Sequence, residues 1–382
     1  MQRSYEFAGP TLPDMTGAIA MVLALIFFVI VHEAGHFFAA KLSQMKVTEF
    51  FVGFGPRIWS TLRGETEYGF KWIPAGGYVK IAGMNPFDEV PPEEEGRTYR
   101  DKSTSSKLFV VLAGIVLNFA VAFVILWGLF AFYGEPDPTP IPEVAEVVED
   151  SAAAAAGLQP GDVILSIDGV PIDDWDDASD TIAGLAGETV AIVVDRDGST
   201  VTMQATLGSA ENEAGETVGF LGFAPVVEVT TTDVAFVAAG GLAGVEVWDL
   251  TKQSYGFIFD LVTPSTLGEL VGGIGGGEVE TDARPVSIVG LAQIGAQADE
   301  LGWANILYFM ASINVILGAL NLIPILPLDG GHAAIAIYEK VFRRKANLQA
   351  LAPVAVAVVA LFAFIGVVSI LLDVTNPIDL GG

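Results

Sequence analysis

The chain has 382 residues, with 18 Lys and Arg against 46 Asp and Glu for a formal charge of −28, yet 52% of it is hydrophobic and it has no cysteine. The missing cysteines exclude disulfide scaffolds, thiolate metal sites and cysteine nucleophiles, and the scarcity of basic residues excludes nucleic acid as a partner. Such acidity and such apolarity coexist only when apolar residues sit in lipid-facing blocks and acids in water-facing ones, so the composition is that of a membrane protein.

Four blocks are long enough to cross about 30 Å of hydrocarbon: residues 16–40, 108–133, 303–328 and 348–372. The first carries His32, Glu33 and His36. Between the first two, Tyr68 to Ile81 alternates loosely and reads as a hairpin turning at Gly76-Gly77. The second block is interrupted only by Asn118. Residues 142–230 alternate short apolar runs with Pro160-Gly161-Asp162, Asp168-Gly169 and Asp197-Gly198, the pattern of a small α+β domain. Within it the Ala152–Ala156 run before Gly157 predicts a short helix. Residues 234–302 are apolar but broken by Gly272-Gly273 and Gly275-Gly276-Gly277, which suits an interfacial or re-entrant segment. The third block holds Asn314, Asn321 and several prolines, and a short basic link leads to the fourth. The chain thus divides into 1–133, 142–230, 234–302 and 303–382: an α-helical membrane protein of four spans with an inserted mixed domain.

Basic residues set the orientation. Ten lie in 41–107, and Lys340, Arg343, Arg344 and Lys345 lie between the last two spans, whereas 134–302 has only Arg196, Lys252 and Arg284. The positive-inside rule places both basic loops in the cytoplasm, and both termini and the acidic segment outside.

His32-Glu33-Ala34-Gly35-His36 puts two imidazoles one helical turn apart on one face, within reach of one ion, with a glutamate able to take a proton from a metal-bound water. Ionisable groups in a span are costly and point to function, the bland alternative being packing histidines with a snorkelling glutamate. A catalytic zinc needs a third protein ligand. Asp329, the sole acid in or beside the third span, reaches the same cytoplasmic depth as His36. His332 stands as the alternative ligand, or behind the carboxylate as its support.

These landmarks resemble the site-2 protease family of intramembrane zinc metalloproteases, in particular the regulator-of-sigma-E type. In order they are His32–His36, Gly53-Phe54-Gly55-Pro56, Ile73-Pro74-Ala75-Gly76-Gly77-Tyr78-Val79-Lys80, Ala113-Gly114 with Asn118, and Asn321 through Gly331. The resemblance implies that His32, His36 and Asp329 hold Zn2+, that Glu33 is the general base and that Asn321 lies beside the substrate backbone. It implies that the hairpin around Gly76, Gly77 and Tyr78 pairs with an unwound substrate strand. It further implies an active site near the cytoplasmic side, single-span membrane proteins as substrates within the lipid bilayer, and an outer PDZ-like domain. That domain has its own signals: Gly157 to Asp162 followed by Val163 to Gly169, and a glycine-flanked loop, Gly219-Phe220-Leu221-Gly222, able to capture the carboxylate of C-terminal peptides. Departures are Ile115 in place of the usual proline, and one PDZ-like domain where some relatives carry two. The expected activity is peptide-bond hydrolysis in transmembrane segments, as the second cut of regulated intramembrane proteolysis or as clearance of signal-peptide remnants. The rival is a non-catalytic membrane scaffold with a PDZ-like partner-binding module and a structural metal, in which Glu33 has no purpose. A transporter is disfavoured by the lack of a repeated half.

Overall fold

The computed structural model describes residues 15–85, 91–211, 215–274, 284–297 and 302–378. They form two compact units, one of residues up to Tyr133 together with those from Val234 onward, the other Gly134–Asp233.

In the first unit α1 (Met15–Leu42) leads into a long hairpin of β1 (Val47–Arg63) and β2 (Thr66–Ile81), and then into α2 (Thr104–Tyr133). After the inserted unit come α5 (Phe236–Leu261), α6 (Pro264–Ile274), α7 (Ile288–Ala296), α8 (Trp303–Leu322), α9 (Asp329–Phe342) and α10 (Leu348–Thr375). Four helices are long and apolar enough to cross a membrane: α1, α2, α8 and α10. A fifth span is reached if α5 and α6, bent by 74°, count as one. The outward face of α1 supports a lipid solvent: Ile19, Leu23 and Phe27, one turn apart, are each more than half exposed, a stripe a water-facing helix does not keep.

Small residues let these helices approach. Ala122 and Leu126 of α2 pack with Ala239 and Ala243 of α5 and with Ala311 and Val315 of α8, the close-contact mode available where lipid offers no hydrophobic drive between helices. The segment 234–302 begins with a 26-residue α5 running through Gly240-Gly241 and continues, after a bend, into α6 with Gly272 and Gly273; a Cβ on Gly240 would stand 3.4 Å from the Trp127 ring, so this glycine serves helix contact. Gly275, Gly276 and Gly277 fall outside the described residues.

A buried ionic knot joins α7 to the end of α10. Arg284 donates to Asp373 Oδ1 and to the carbonyl of Asn376, both at 2.6 Å. The other oxygen of Asp373 accepts from the backbone N–H groups of Ser287 (2.9 Å) and Gly290 (3.1 Å). A carboxylate on one helix thereby satisfies orphan donors at the start of another. Asp373 is fully buried and Arg284 nearly so, the pairing that makes such burial tolerable.

In the second unit β3 (Glu135–Val147), α3 (Ala152–Ala156), β4 (Val163–Ile167), β5 (Val170–Pro171), α4 (Trp175–Gly184), β6 (Thr189–Arg196), β7 (Ser199–Thr206) and β10 (Phe223–Thr232) build an antiparallel sheet of order β10-β3-β4-β6-β7, with β5 beside β4. A separate small pair is β8 (Gly208–Glu211) with β9 (Thr217–Phe220). Asp168-Gly169 and Asp197-Gly198 form the expected tight turns, all four residues at positive φ. Ser151 caps α3 by accepting from the N–H of Ala154, and Gly157 ends it at φ 82°. Ile164, Ile167 and Ile192 are essentially fully buried and each contributes about 1.5–3 kcal/mol of apolar burial. The strands extend past the expected 142–230, since β3 starts at Glu135 and pairs there with Thr232. Pro136, Pro138, Pro140 and Pro142 obscured that start, yet at alternate positions their missing donors all fall on one strand edge.

Candidate metal centre and catalytic cavity

His32 and His36 project from one face of α1, both buried. Gly35 faces α2 so closely that a Cβ there would lie 2.7 Å from the carbonyl oxygen of Ala113 and 2.8 Å from Cα of Gly114. The two helices therefore meet backbone to backbone beside the histidines, and the His36 ring lies over Gly114, where a Cβ would stand 2.4 Å from Nε2. His36 Nδ1 lies 2.8 Å from the carbonyl oxygen of Val110; a carbonyl only accepts, so Nδ1 carries the proton and Nε2 presents its lone pair.

The third group arrives from α9. Helix α8 ends at Leu322, with Ile323 already extended, and the expected third block, 303–328, is helical only that far because Pro324 and Pro327 cannot continue the ladder. The chain folds back through short turns (Ile325 N–H to Ile323 O, 2.8 Å; Leu328 N–H to Ile325 O, 3.0 Å) and restarts as α9 at Asp329. Gly330 passes so near that a Cβ would be 2.3 Å from the carbonyl of Leu322. Packing without side chains fixes α9 there, with Asp329 in its first turn, where the helix dipole favours a carboxylate.

Asp329 Oδ2 lies 3.2 Å from His32 Nε2 and 3.0 Å from His36 Nε2, and the two Nε2 atoms are 3.1 Å apart. Three electron-pair donors converge in a triangle with edges close to the spacing of about 3.3 Å between tetrahedral ligands bonded at about 2.0–2.1 Å. It is the one such group of His, Asp and Glu side chains among the described residues. The donor set of two imidazoles and a carboxylate fits zinc, and one proton cannot satisfy all three atoms at once.

These residues wall a cavity of about 280 Å³ that also takes in Glu33, Asn321 and His332. β2 packs against the acid itself, Gly77 lying beside the Glu33 side chain. Gly77 permits this approach: a Cβ there would lie 3.0 Å from the carbonyl of Phe51 and 3.3 Å from Cγ of Glu33. The chain reverses between Arg63 and Thr66 and again between Phe70 and Gly77: residues 68–70 pair with 50–52 in parallel and 77–79 pair with the same three antiparallel, so the expected reversal lies just before Gly77, which pairs with Val52. Tyr78 donates to Glu49 (2.5 Å) and accepts from Lys71 (2.9 Å), which orients its ring. Asn321 lines the cavity while one amide N–H returns to Leu317 O at 3.0 Å. His332 lies outside the triangle. A second cavity, about 490 Å³ and mostly apolar, runs between β2 and α10 and shares Tyr78, Val79, Ile81, Met84, Pro327 and His332 with the first. The outer edge of residues 77–81 pairs with no described strand.

Gly219, Phe220, Leu221 and Gly222 line a separate cavity of about 210 Å³ with Trp175, Ile182 and others in the second unit. Gly219 packs on α4, Leu221 is core, and Phe220 is half exposed. The carbonyls of Leu221 and Gly222 already accept from Ala153 and Val148. Sequence reasoning missed Val110 and Gly35. Gly35 and Gly114 had a signal in hindsight, being small residues within blocks meant to pack against one another.

The family model described as Peptidase family M50 matches residues 20–366. The chain is 32% identical over 404 residues to "Zinc metalloprotease Rip1" of Mycobacterium tuberculosis, covering 96% of this chain and 99% of that one. It is 33% identical over 411 residues to the protein of the same name from Mycolicibacterium smegmatis, covering 95% and 98%. Among solved structures, the PDZ domain of an SdrC-like protein from Listeria monocytogenes is 27% identical over 22% of this chain and 85% of that chain, with a TM-score of 0.20, too low to bear on the fold.

Proposed function

Because the chain belongs to peptidase family M50, and is with it an intramembrane zinc metalloprotease of the site-2 type, we propose that His32, His36 and Asp329 hold the zinc and that Glu33 is its general base. The observation that carries this is the triangle of Nε2, Nε2 and Oδ2 atoms at 3.0–3.2 Å with Glu33 on the same cavity wall. The metal, when bound, lowers the pKa of a coordinated water and polarises the scissile carbonyl. Val110 fixes the tautomer of His36, and Glu33 takes the water's proton and later returns it to the leaving amine.

A substrate span must unwind before its carbonyls can be attacked. The open edge of β2 at Gly76, Gly77 and Tyr78 supplies replacement hydrogen-bond partners, Asn321 steadies the substrate backbone, and the apolar cavity beneath α10 receives the side chains. The termini and the PDZ-like unit lie outside, the active site toward the cytoplasm. The loop at Gly219–Gly222 screens substrates by an exposed C-terminus, which suits a second cut after the outer part of a single-span protein has been trimmed. The scaffold reading leaves Glu33 without a role.

The test pairs Glu33→Gln with Asp329→Asn in purified protein. Glu33→Gln should keep one zinc per chain and lose cleavage of a transmembrane substrate by several orders of magnitude. Asp329→Asn should lose the zinc as well. Full zinc in Asp329→Asn would remove this carboxylate from the site, and cleavage by Glu33→Gln would end the general-base assignment.

A further inference from the structure

Most polar side chains around the catalytic cavity are engaged with one another or with neighbours. His32, His36 and Asp329 face one another through Nε2, Nε2 and Oδ2, and Tyr78 is tied to Glu49 and Lys71. Asn321 has turned one N–H to its own helix. His332 makes no hydrogen bond or ion pair with any described residue, although it is partly buried and lines both the catalytic cavity and the apolar cavity beside it. Its place is not accidental. It stands three residues after Asp329 on α9, hence on the same face of the helix that delivers the carboxylate. That first turn is held rigidly, since Gly330 and Gly331 lie against the backbone of Leu322–Leu326 with no room for a Cβ. Behind the imidazole, the Tyr99 ring stands edge-on at 6.5 Å, and the Lys107–Glu339 ion pair (3.1 Å) lies one to two turns further along α9. An imidazole with a free N–H, fixed at the junction of the substrate cavity and the catalytic cavity, is a donor kept without a protein acceptor.

Resting on the assignment of Glu33 and the metal triangle made above, we infer that His332 is a catalytic residue that donates a hydrogen bond to the scissile carbonyl oxygen as charge develops on it. As the water oxygen bonds to the carbonyl carbon, one water proton passes to Glu33 and the carbonyl π pair moves onto oxygen. His332 donates to that oxygen and keeps its own proton throughout. The pair then returns to re-form the carbonyl, the C–N bond breaks, and Glu33 gives its proton to the departing nitrogen. A neutral imidazole suffices, because one ring nitrogen always carries a proton. Donors placed where charge develops act on turnover far more than on binding.

The test is His332→Leu and His332→Gln in the full chain, with zinc content, kcat and KM on a transmembrane peptide, affinity for a phosphinic peptide that mimics the tetrahedral carbon, and binding of intact peptide in a Glu33→Gln background. His332→Leu should keep one zinc per chain, lose about 100-fold in kcat, and hold KM and intact-peptide affinity within about twofold. The phosphinic peptide should weaken in parallel with kcat/KM, and His332→Gln, which retains an N–H donor, should recover at least about tenfold of the loss. If His332→Leu does not fold, His332→Met takes its place. Loss of zinc, a rise in KM with kcat intact, or unchanged kinetics would each overturn the role. Glu33→Gln alone separates the layers: if it still cleaves, the underlying assignment falls; if it is dead while His332→Leu is fully active, only this inference falls.

Discussion

Replacing Gly114 with alanine places one methyl group in the tightest part of the metal centre. Its Cβ would stand 2.4 Å from Nε2 and 2.7 Å from Cε1 of His36, and 2.9 Å from the carbonyl oxygen of His32, where ordinary contact begins at 3.4 Å. About 1.0 Å must therefore be found. The helices cannot part cheaply, because α1 and α2 touch backbone to backbone at Gly35, and the ring cannot swing away without giving up its bond to Val110. Metal–ligand distances tolerate about 0.2 Å, so a displacement several times larger disables His36 as a ligand. The expected cost is at least the 10–100-fold in zinc affinity typical of disturbing a ligand's support, roughly 1.4–2.7 kcal/mol, with a further 1–3 kcal/mol of overpacking strain in the fold. Zinc retention against a graded chelator, read by elemental analysis, measures the first, and thermal unfolding in detergent the second. Gly128→Ala, on the same helix with nothing within 4 Å of its Cβ, is the control and should retain zinc like the wild type. A Gly114→Ala protein that holds zinc as tightly and melts at the same temperature as the wild type would refute the reasoning.

Two further expectations concern parts of the molecule away from the metal. Arg284→Met leaves the Asp373 carboxylate buried without its ion-pair partner and should cost about 3–5 kcal/mol, seen as a lowered melting temperature, whereas Arg284→Met with Asp373→Leu should recover most of it; a double variant no better than the single would show that the pair is not the source. In the inserted unit the Arg196 guanidinium, 2.6 Å from both oxygens of Asp162, holds that carboxyl below its ordinary value. A lowered folded-state value stabilises above the unfolded value of about 3.9 and the gain disappears as pH falls through the folded one. The melting-temperature gap between wild type and Arg196→Met, read by calorimetry, should thus be full at neutral pH and shrink on acidification below about pH 4; a gap that widens in acid would contradict it.

Much of the proposed site was legible because its chemistry is local or constrained by depth. His32 and His36 announce themselves by helical spacing, and Asp329 by being the sole acid at the depth that the basic loops assign to His36. What was not legible depends on close approach. The Gly-Gly pair reads as a turn, and only the nearness of Glu33 and Phe51 shows why the strand that returns from it wants glycine at 77. The expected domain starts at 142 because proline at every second position of 136–142 conceals a strand whose one edge needs no donors there. Arg284 and Asp373 meet across 89 positions with no spacing rule to link them.

The inserted unit starts and finishes on the same ribbon. Glu135 pairs with Thr232, Asp137 with Thr230 and Thr139 with Glu228, so the chain leaves the helical scaffold and rejoins it through two neighbouring strands about 5 Å apart. The helices on either side of the insertion are thereby spared any dependence on its length or content, since whatever is spliced between the two strands returns the chain to where it left. Such a socket lets the inserted unit be exchanged, duplicated or lost while the membrane-embedded catalyst keeps its geometry, and it makes the ribbon the natural seam at which to graft a foreign binding domain onto the protease.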